Sequence, residues 1–450
     1  MNTKPLLFLL IVAAAACSAK AQNPAPPPPQ AGLPFRLTLK DAIQKGLQAN
    51  LHVLLAESRV DQAEGTRQRR LSNALLPRVS TEAYANAHNL NLRAFGVSFP
   101  GSPTVVGPLS NYDFRLYAQQ NVLDLTTYRS LKASEHALNS AKLDDQDARD
   151  LIVRAVAGLY LNSESAAARA DAAQSRVNDS NTLLQLATDR HNAGTATGVD
   201  VLRAQVQLAN DRQSLLIAQN QYKQAVLALA REIGMNPGDP IELAETLDYH
   251  PVAVQSAETL INSALAARSD YLSLASQRQT LVEQQRANRA RFYPKISVNG
   301  NYGGIGRSIG SVEQTGLIQG QIDFTLFDRD RNGEAVELAA QINAVDNRIA
   351  DMRRGIDEDV RAALLNLESD QQQVDVARQG QDLAHRELEM SRDRFQQGTA
   401  NNIEVVTAQD ELARAEENYI LAVSSYVDGK FALARSLGDT EKNITELSNQ

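Results

Sequence analysis

Tryptophan is absent from this 450-residue chain, and cysteine occurs once, as Cys17. A single cysteine excludes an intrachain disulfide and any multi-cysteine metal site. Aromatics make up only 5% of the residues. No stretch reaches about 18 uninterrupted apolar residues, so no transmembrane helix is expected. The six histidines, His52, His88, His136, His191, His250 and His385, form no helix-spaced metal pair and no H-E-x-x-H motif. Walker and dinucleotide-type glycine loops are missing as well. Gly306-Arg307-Ser308-Ile309-Gly310 fits G-x-S-x-G on paper. It lies between two expected strands, whereas a nucleophile elbow needs a strand-to-helix turn, so Ser308 reads as a loop serine. These absences exclude the usual enzyme constellations and imply neither metal nor cofactor. Lys plus Arg number 45 against 53 Asp plus Glu, a formal charge of −8. An acidic chain argues against nucleic acid as a partner.

What is present begins with an export signal over residues 1–21. Lys4 supplies the positive charge, Leu6 to Ala16 the apolar run, and Ala19-Lys20-Ala21 the cleavage site. Cys17 ends the apolar run and is the alternative site, for lipidation, although Ala14 stands where a lipobox carries Leu. Residues 22–37 hold six prolines between Asn23 and Pro34 and read as an extended linker.

The hydrophobic period then alternates. Residues 38–76 read as a helix, capped by Thr38 and stopped by Pro77. Residues 77–122 read as a β-hairpin, with alternation from Arg78 to about Leu92 and from Tyr112 to Val122. Residues 123–236 carry helical spacing, 237–252 a connector, and 253–292 a further helix. Residues 293–328 form a second hairpin, with a glycine-rich loop expected from Gly303 to Gly316. Residues 329–438 are helical again, and 439–450 are a tail.

The two long helical stretches are copies. Arg190 to Gly234 aligns without gaps on Arg394 to Gly438, with 16 of 45 positions identical. Gly194 and Gly398 break each stretch into a long outgoing rod and a shorter returning one, with Thr195 and Thr399 directly after. Each returning rod has a seven-residue repeat. Val201, Leu208, Leu215, Tyr222 and Leu229 alternate with Ala204, Asp211, Ala218, Ala225 and Glu232. Val405, Leu412, Tyr419, Tyr426 and Leu433 alternate with Ala408, Ala415, Ala422, Gly429 and Ser436. Such a repeat implies a left-handed coiled-coil seam. Asp211 and Glu232 break the small-residue row of the first copy.

The hairpin arms are about ten residues long and alternate polar with apolar, the size and pattern of membrane β-strands. Alternation puts Asp113, Arg115, Gln119, Gln321 and Asp323 toward a water-filled lumen. It puts Tyr112, Phe114, Ile322 and Phe324 toward lipid. Two hairpins give four strands, whereas small membrane barrels need about eight. A spanning sheet must close without free edges, so several chains must share one barrel. The other reading is an exported periplasmic coiled-coil scaffold with soluble β caps.

At this point the chain resembles the TolC family of outer-membrane efflux and secretion channels. The resemblance rests on Leu37-Thr38-Leu39-Lys40-Asp41-Ala42-Ile43, on the helix-to-strand stretches from Leu75 and from Phe292, and on the duplicated Gly-Thr-Ala tips. It implies a mainly α fold with a small β part: a coiled-coil α-barrel in the periplasm below a twelve-stranded transmembrane β-barrel shared by a homotrimer. It implies outer-membrane lipid, a periplasmic adaptor protein and an inner-membrane efflux pump or ABC transporter as partners. The implied adaptor-docking tips are Gly194, Thr195, Gly398 and Thr399. Glu404, with Asp200 as its first-copy counterpart, is implied at the periplasmic constriction. Well-known members carry a second acid and an Arg where this chain has Thr407 and Ala400, so a single anionic ring is expected here.

Overall fold

A sequence with two glycine-marked reversals and two changes of period can bury its apolar stripes only by laying long helices side by side. In the computed structural model it does so. The structure describes residues 35–438 and 440, apart from 98, 99, 102, 253 and 254. The export signal, Cys17, the linker before Phe35 and the tail from residue 441 lie outside the described residues.

The first rod, α1, is Leu39–Ala49, and α2 is Leu51–Leu75. The single helix expected over 38–76 is therefore split at Asn50. The Asn50 side chain caps α2 by accepting from the His52 amide at 2.9 Å. Helix α3, Leu125–Asn192, runs unbroken for 68 residues, or about 100 Å. Helix α4, Gly198–Glu232, returns along it. Helices α5, Ala257–Ala267, and α6, Ser269–Ala290, replace the second single helix and meet at Arg268. Helix α7, Asp330–Gln396, and α8, Asn402–Leu437, repeat the α3–α4 pair.

The two splits are equivalent joints. At the first, α4 ends where α2 begins: Asn50 donates to Glu232 at 2.8 Å. Gly234 (φ +71°) packs so closely that a Cβ on it would lie 2.4 Å from that of Ala49. At the second, α8 ends against the start of α6. Gly438 (φ +79°) would place a Cβ 2.8 Å from the Arg268 Cα. These glycines are 204 residues apart. The left-handed backbone and the close approach together demand glycine at both.

Two three-residue strands close a collar around the first joint. Strand β1, Phe35–Leu37, pairs in parallel with β4, Ile241–Leu243. The end of the expected linker is thus a strand, too short for alternation to reveal. The fully buried Tyr160 of α3 donates to the Leu37 carbonyl at 2.9 Å. Around it pack Leu37, Ile43, Val53, Val153, Val156 and Leu229, all under 5% exposed. Burying each stabilises the fold by about 1.5–3 kcal/mol. Glu164, one turn farther along α3, is buried there too.

The remaining strands form one antiparallel sheet in the order β2-β3-β5-β6. They are Arg78–Asn91, Val105–Leu123, Lys295–Gly306 and Glu313–Asp323. Contrary to expectation, most of the glycine-rich stretch is strand rather than loop. The reason is packing: a Cβ on Gly303 would lie 1.9 Å from the Phe114 carbonyl oxygen. Only glycine lets β5 cross β3 so closely. Phe324 lies just past the end of β6.

Side by side, α4 and α8 flank the lower half of α3, and α2 and α6 its upper half. Helix α7 completes the far side of both halves against α8 and α6. One lateral edge of the wedge is therefore β2, α2 and α4; the other is β6 and α7.

Candidate functional site

Each helical tip is built from the same bonds. In the first, the Arg190 carbonyl accepts from the Thr195 amide at 2.8 Å and its hydroxyl at 3.1 Å. In the second, the Arg394 carbonyl accepts from the Thr399 amide at 3.0 Å and its hydroxyl at 3.1 Å. Gly194 and Gly398, at φ +73° and +79°, make the left-handed turn. These four residues thus form two matched, exposed reversals at one end of the molecule.

The tips also bind each other. Arg190 stacks its guanidinium 4.7 Å from the centre of the Phe395 ring. The same side chain donates to the Phe395 carbonyl and, at 3.3 Å, to its own Thr195 carbonyl. In return the fully buried Asn402 of the second tip donates to the Asp200 carbonyl of the first at 2.9 Å. Below them a shared core includes Leu183, Ala187, Leu388, Val405 and Leu412. Sequence reasoning passed over Arg190. Arg190 itself is matched by Arg394, so the legible signal lay only in the other side chains that join the copies: Phe395 stands opposite His191, and Asn402 opposite Gly198.

Asp200 and Glu404 occupy matching positions but different environments. Asp200 is 8% exposed. It accepts from the Thr197 hydroxyl at 2.7 Å and the Thr197 amide at 2.9 Å, a capping box at the start of α4. The Thr197 hydroxyl bond, opposed in part by burial, holds its carboxyl below the usual carboxylate range. Glu404 is partly exposed and pairs with Arg394 at 3.2 Å.

In the sheet, register decides which side chains share a face. Asp113 lies opposite Tyr84, Arg115 opposite Glu82, and Gln119 opposite both Arg78 and Asn299. Gln321 lies opposite Ser297, and Asp323 opposite Lys295. The five polar candidates therefore share one polar face. Asp113 is 1% exposed: Tyr84 donates to it at 2.9 Å and Arg115 at 2.7 Å. The opposite face carries Tyr112, Phe114, Leu116, Tyr302, Ile318 and Ile322. Ile318 and Ile322 are 87% and 60% exposed, and Phe324, beyond the strand, 64%. In the sheet, β2 and β6 each keep one unpaired edge.

Among the described residues no group of three or more His, Cys, Asp or Glu side chains could hold a metal ion. Among the same residues no helix is long and apolar enough to cross a membrane.

The same architecture occurs in solved outer-membrane proteins. VceC of Vibrio cholerae superposes with a TM-score of 0.74 at 18% identity, over 89% of this chain and 96% of that one. The open state of the MtrE outer membrane channel of Neisseria gonorrhoeae gives 0.72 at 17% identity, over 89% of each chain. OpmQ of Pseudomonas aeruginosa, a pyoverdine export outer membrane protein, is 22% identical over 196 residues. That match covers 43% of this chain and 39% of OpmQ, so it spans about two-fifths of that relative's length. The family model Outer membrane efflux protein matches residues 42–235 and 260–439. This chain therefore belongs to the outer membrane efflux protein family, the TolC-type outer-membrane channels with a helical extension in the periplasm, which are not enzymes.

Proposed function

We propose that three copies of this chain form a passive exit duct, the outer-membrane part of an export machine whose energy comes from an inner-membrane transporter. One observation carries the reading. The sheet has one polar and one apolar face, and its two unpaired edges lie on opposite flanks of the wedge. Such a sheet can enter lipid only if β2 of one copy pairs with β6 of the next around a closed ring. Twelve strands then enclose a lumen lined by Asp113, Arg115, Gln119, Gln321 and Asp323. A soluble scaffold would have no use for the exposed Ile318, Ile322 and Phe324.

The matched tips are the adaptor-docking points in this reading, because they present two equivalent exposed turns per chain at the far end of the helices. Glu404 is the residue of the constriction. Its carboxylate is partly exposed, whereas that of Asp200 is engaged in its cap. Three copies of Glu404 make an anionic ring that favours cations.

The test is reconstitution in planar bilayers with a parallel fractionation. The duct gives heat-modifiable oligomers extracted from outer membranes only by detergent, and discrete conductance. Glu404→Gln lowers its cation selectivity. Crosslinkers at Thr195→Cys and Thr399→Cys capture a periplasmic adaptor. Recovery as a soluble periplasmic protein without conductance overturns the reading.

A further inference from the structure

The polar face of the sheet carries three cations in its strands, Arg78, Arg115 and Lys295. Arg78 and Lys295 are the first residues of β2 and β5, at the end nearest the helices. Arg115 alone lies midway, in the centre of β3. A ring of free arginines at that depth would favour anions. The Arg115 side chain is not free.

Asp113 stands two residues before Arg115, on the same face of the strand. The Arg115 Nε donates to Asp113 Oδ1 at 2.7 Å, and a terminal guanidinium nitrogen donates to Oδ2. This is the two-point fork that a guanidinium makes best with a carboxylate. Tyr84, directly across on β2, donates its hydroxyl to the same Oδ2 at 2.9 Å. The group is sealed. In a single chain this face is open to water, yet the Asp113 side chain is 1% exposed and that of Arg115 only 23%. Glu82, directly across from Arg115, is exposed, and the guanidinium forks onto Asp113 instead. On the other flank Arg115 faces Gly303, and the next residue along the rung is Thr315. A Cβ on Gly303 would lie 2.9 Å from the Arg115 Cγ. The arginine stem thus rests where β5 has no side chain.

We infer that Asp113 is a positioning residue that sets the charge selectivity of the barrel, by pinning Arg115 against the wall and withholding it from Glu82. The inference rests on the duct reading. In the ring, three guanidiniums are held back and matched in charge by three sealed carboxylates. Glu82 is then the unmatched charge of its rung, three to a ring, and favours cations. Without Asp113 the guanidinium has two places to go. It can enter the lumen, where it repels cations, or turn across the rung and neutralise Glu82. Both moves push selectivity the same way, toward anions.

The test uses the full chain in planar bilayers, with Glu404→Gln as the parent so that the tip ring does not mask the barrel. Asp113→Asn is expected to shift the reversal potential toward anions. In the assembled protein it should also open Arg115 to p-hydroxyphenylglyoxal, read by mass spectrometry. Adding Arg115→Gln to Asp113→Asn should return the potential to that of the parent, a rescue that a merely damaged barrel would not show. Should Asp113→Asn fail to assemble, Arg115→Gln alone decides. Cation preference then rises, while the largest neutral polymer admitted from the outer side stays the same, because the pinned arginine never occupied the lumen. A larger polymer limit in Arg115→Gln overturns the inference. So does a conducting parent whose potential and Arg115 labelling are unchanged by Asp113→Asn, and the duct reading then stands. A parent that forms no pore overturns the duct reading and the inference with it.

Discussion

Arg190 does at the scale of one side chain what the duplication cannot do. Two identical tips would have no reason to adhere asymmetrically, yet one guanidinium caps the Phe395 ring and its carbonyl. Arg190→Ala should loosen the paired tips by about 1–2 kcal/mol, from a cation–π contact and a charge-assisted bond. Faster amide exchange in the turns after Gly194 and Gly398, with global helicity intact, is the measurement. Arg190→Lys should recover only part, because an ammonium lacks the planar fork. The collar offers a second residue-scale prediction. Burial first, then the negative charges of Glu245 and Asp248, push the Glu164 carboxyl up to about 8. The folded chain therefore holds that proton more tightly than the unfolded chain, whose Glu titrates near 4.3. The stability it contributes is full below about pH 4 and is lost as pH rises through about 8. Melting temperatures measured between about pH 5 and about pH 9 should fall with pH, and Glu164→Gln should flatten that fall.

At the scale of elements, much was legible. Absence of proline together with helical spacing located α3, and its glycine-terminated end emerged at Gly194. The heptad rows of α4 and α8 identified their buried seams, with Ala204, Leu208, Ala218, Val405, Leu412 and Tyr426 all buried. Other elements left no local trace. The breaks at Asn50 and Arg268 occur within continuous helical spacing. They exist because two other helix ends, at Gly234 and Gly438, butt against them from 184 and 170 residues away in sequence. Gly303 was read as a loop residue because turns and close strand crossings both call for glycine, and only the position of β3 distinguishes them. Replacing it settles which role matters. Gly303→Val puts branched carbon onto the Phe114 carbonyl and should abolish the heat-modifiable oligomer. The same substitution at Gly310, where nothing lies within 4 Å of a built Cβ, should leave it unchanged. At the tips, the repeat located the two turns at Gly194 and Gly398 in sequence, but not the bonds between copies, which need both tips folded.

At the scale of the whole molecule, the two lateral edges carry apolar side chains with nothing against them. Val376, Leu383 and Met390, seven residues apart on α7, are 68%, 64% and 63% exposed. Val199, Leu202 and Val206 on the opposite edge are 53%, 61% and 61% exposed. In the proposed ring these stripes meet. Leu383→Asp with Met390→Asp should therefore reduce the oligomer recovered by size-exclusion chromatography, while a single chain keeps its circular dichroism. Mixing with wild-type subunits should not rescue the interface on the mutated edge.

The unpaired edges of β2 and β6 also have a kinetic consequence. In the proposed ring a lone chain cannot satisfy its backbone in hydrocarbon, so insertion would wait until neighbours have met. Barrel formation should then depend on subunit concentration with an order greater than one, and slow steeply on dilution. Until that meeting the cell must keep each sheet from pairing with the wrong edge.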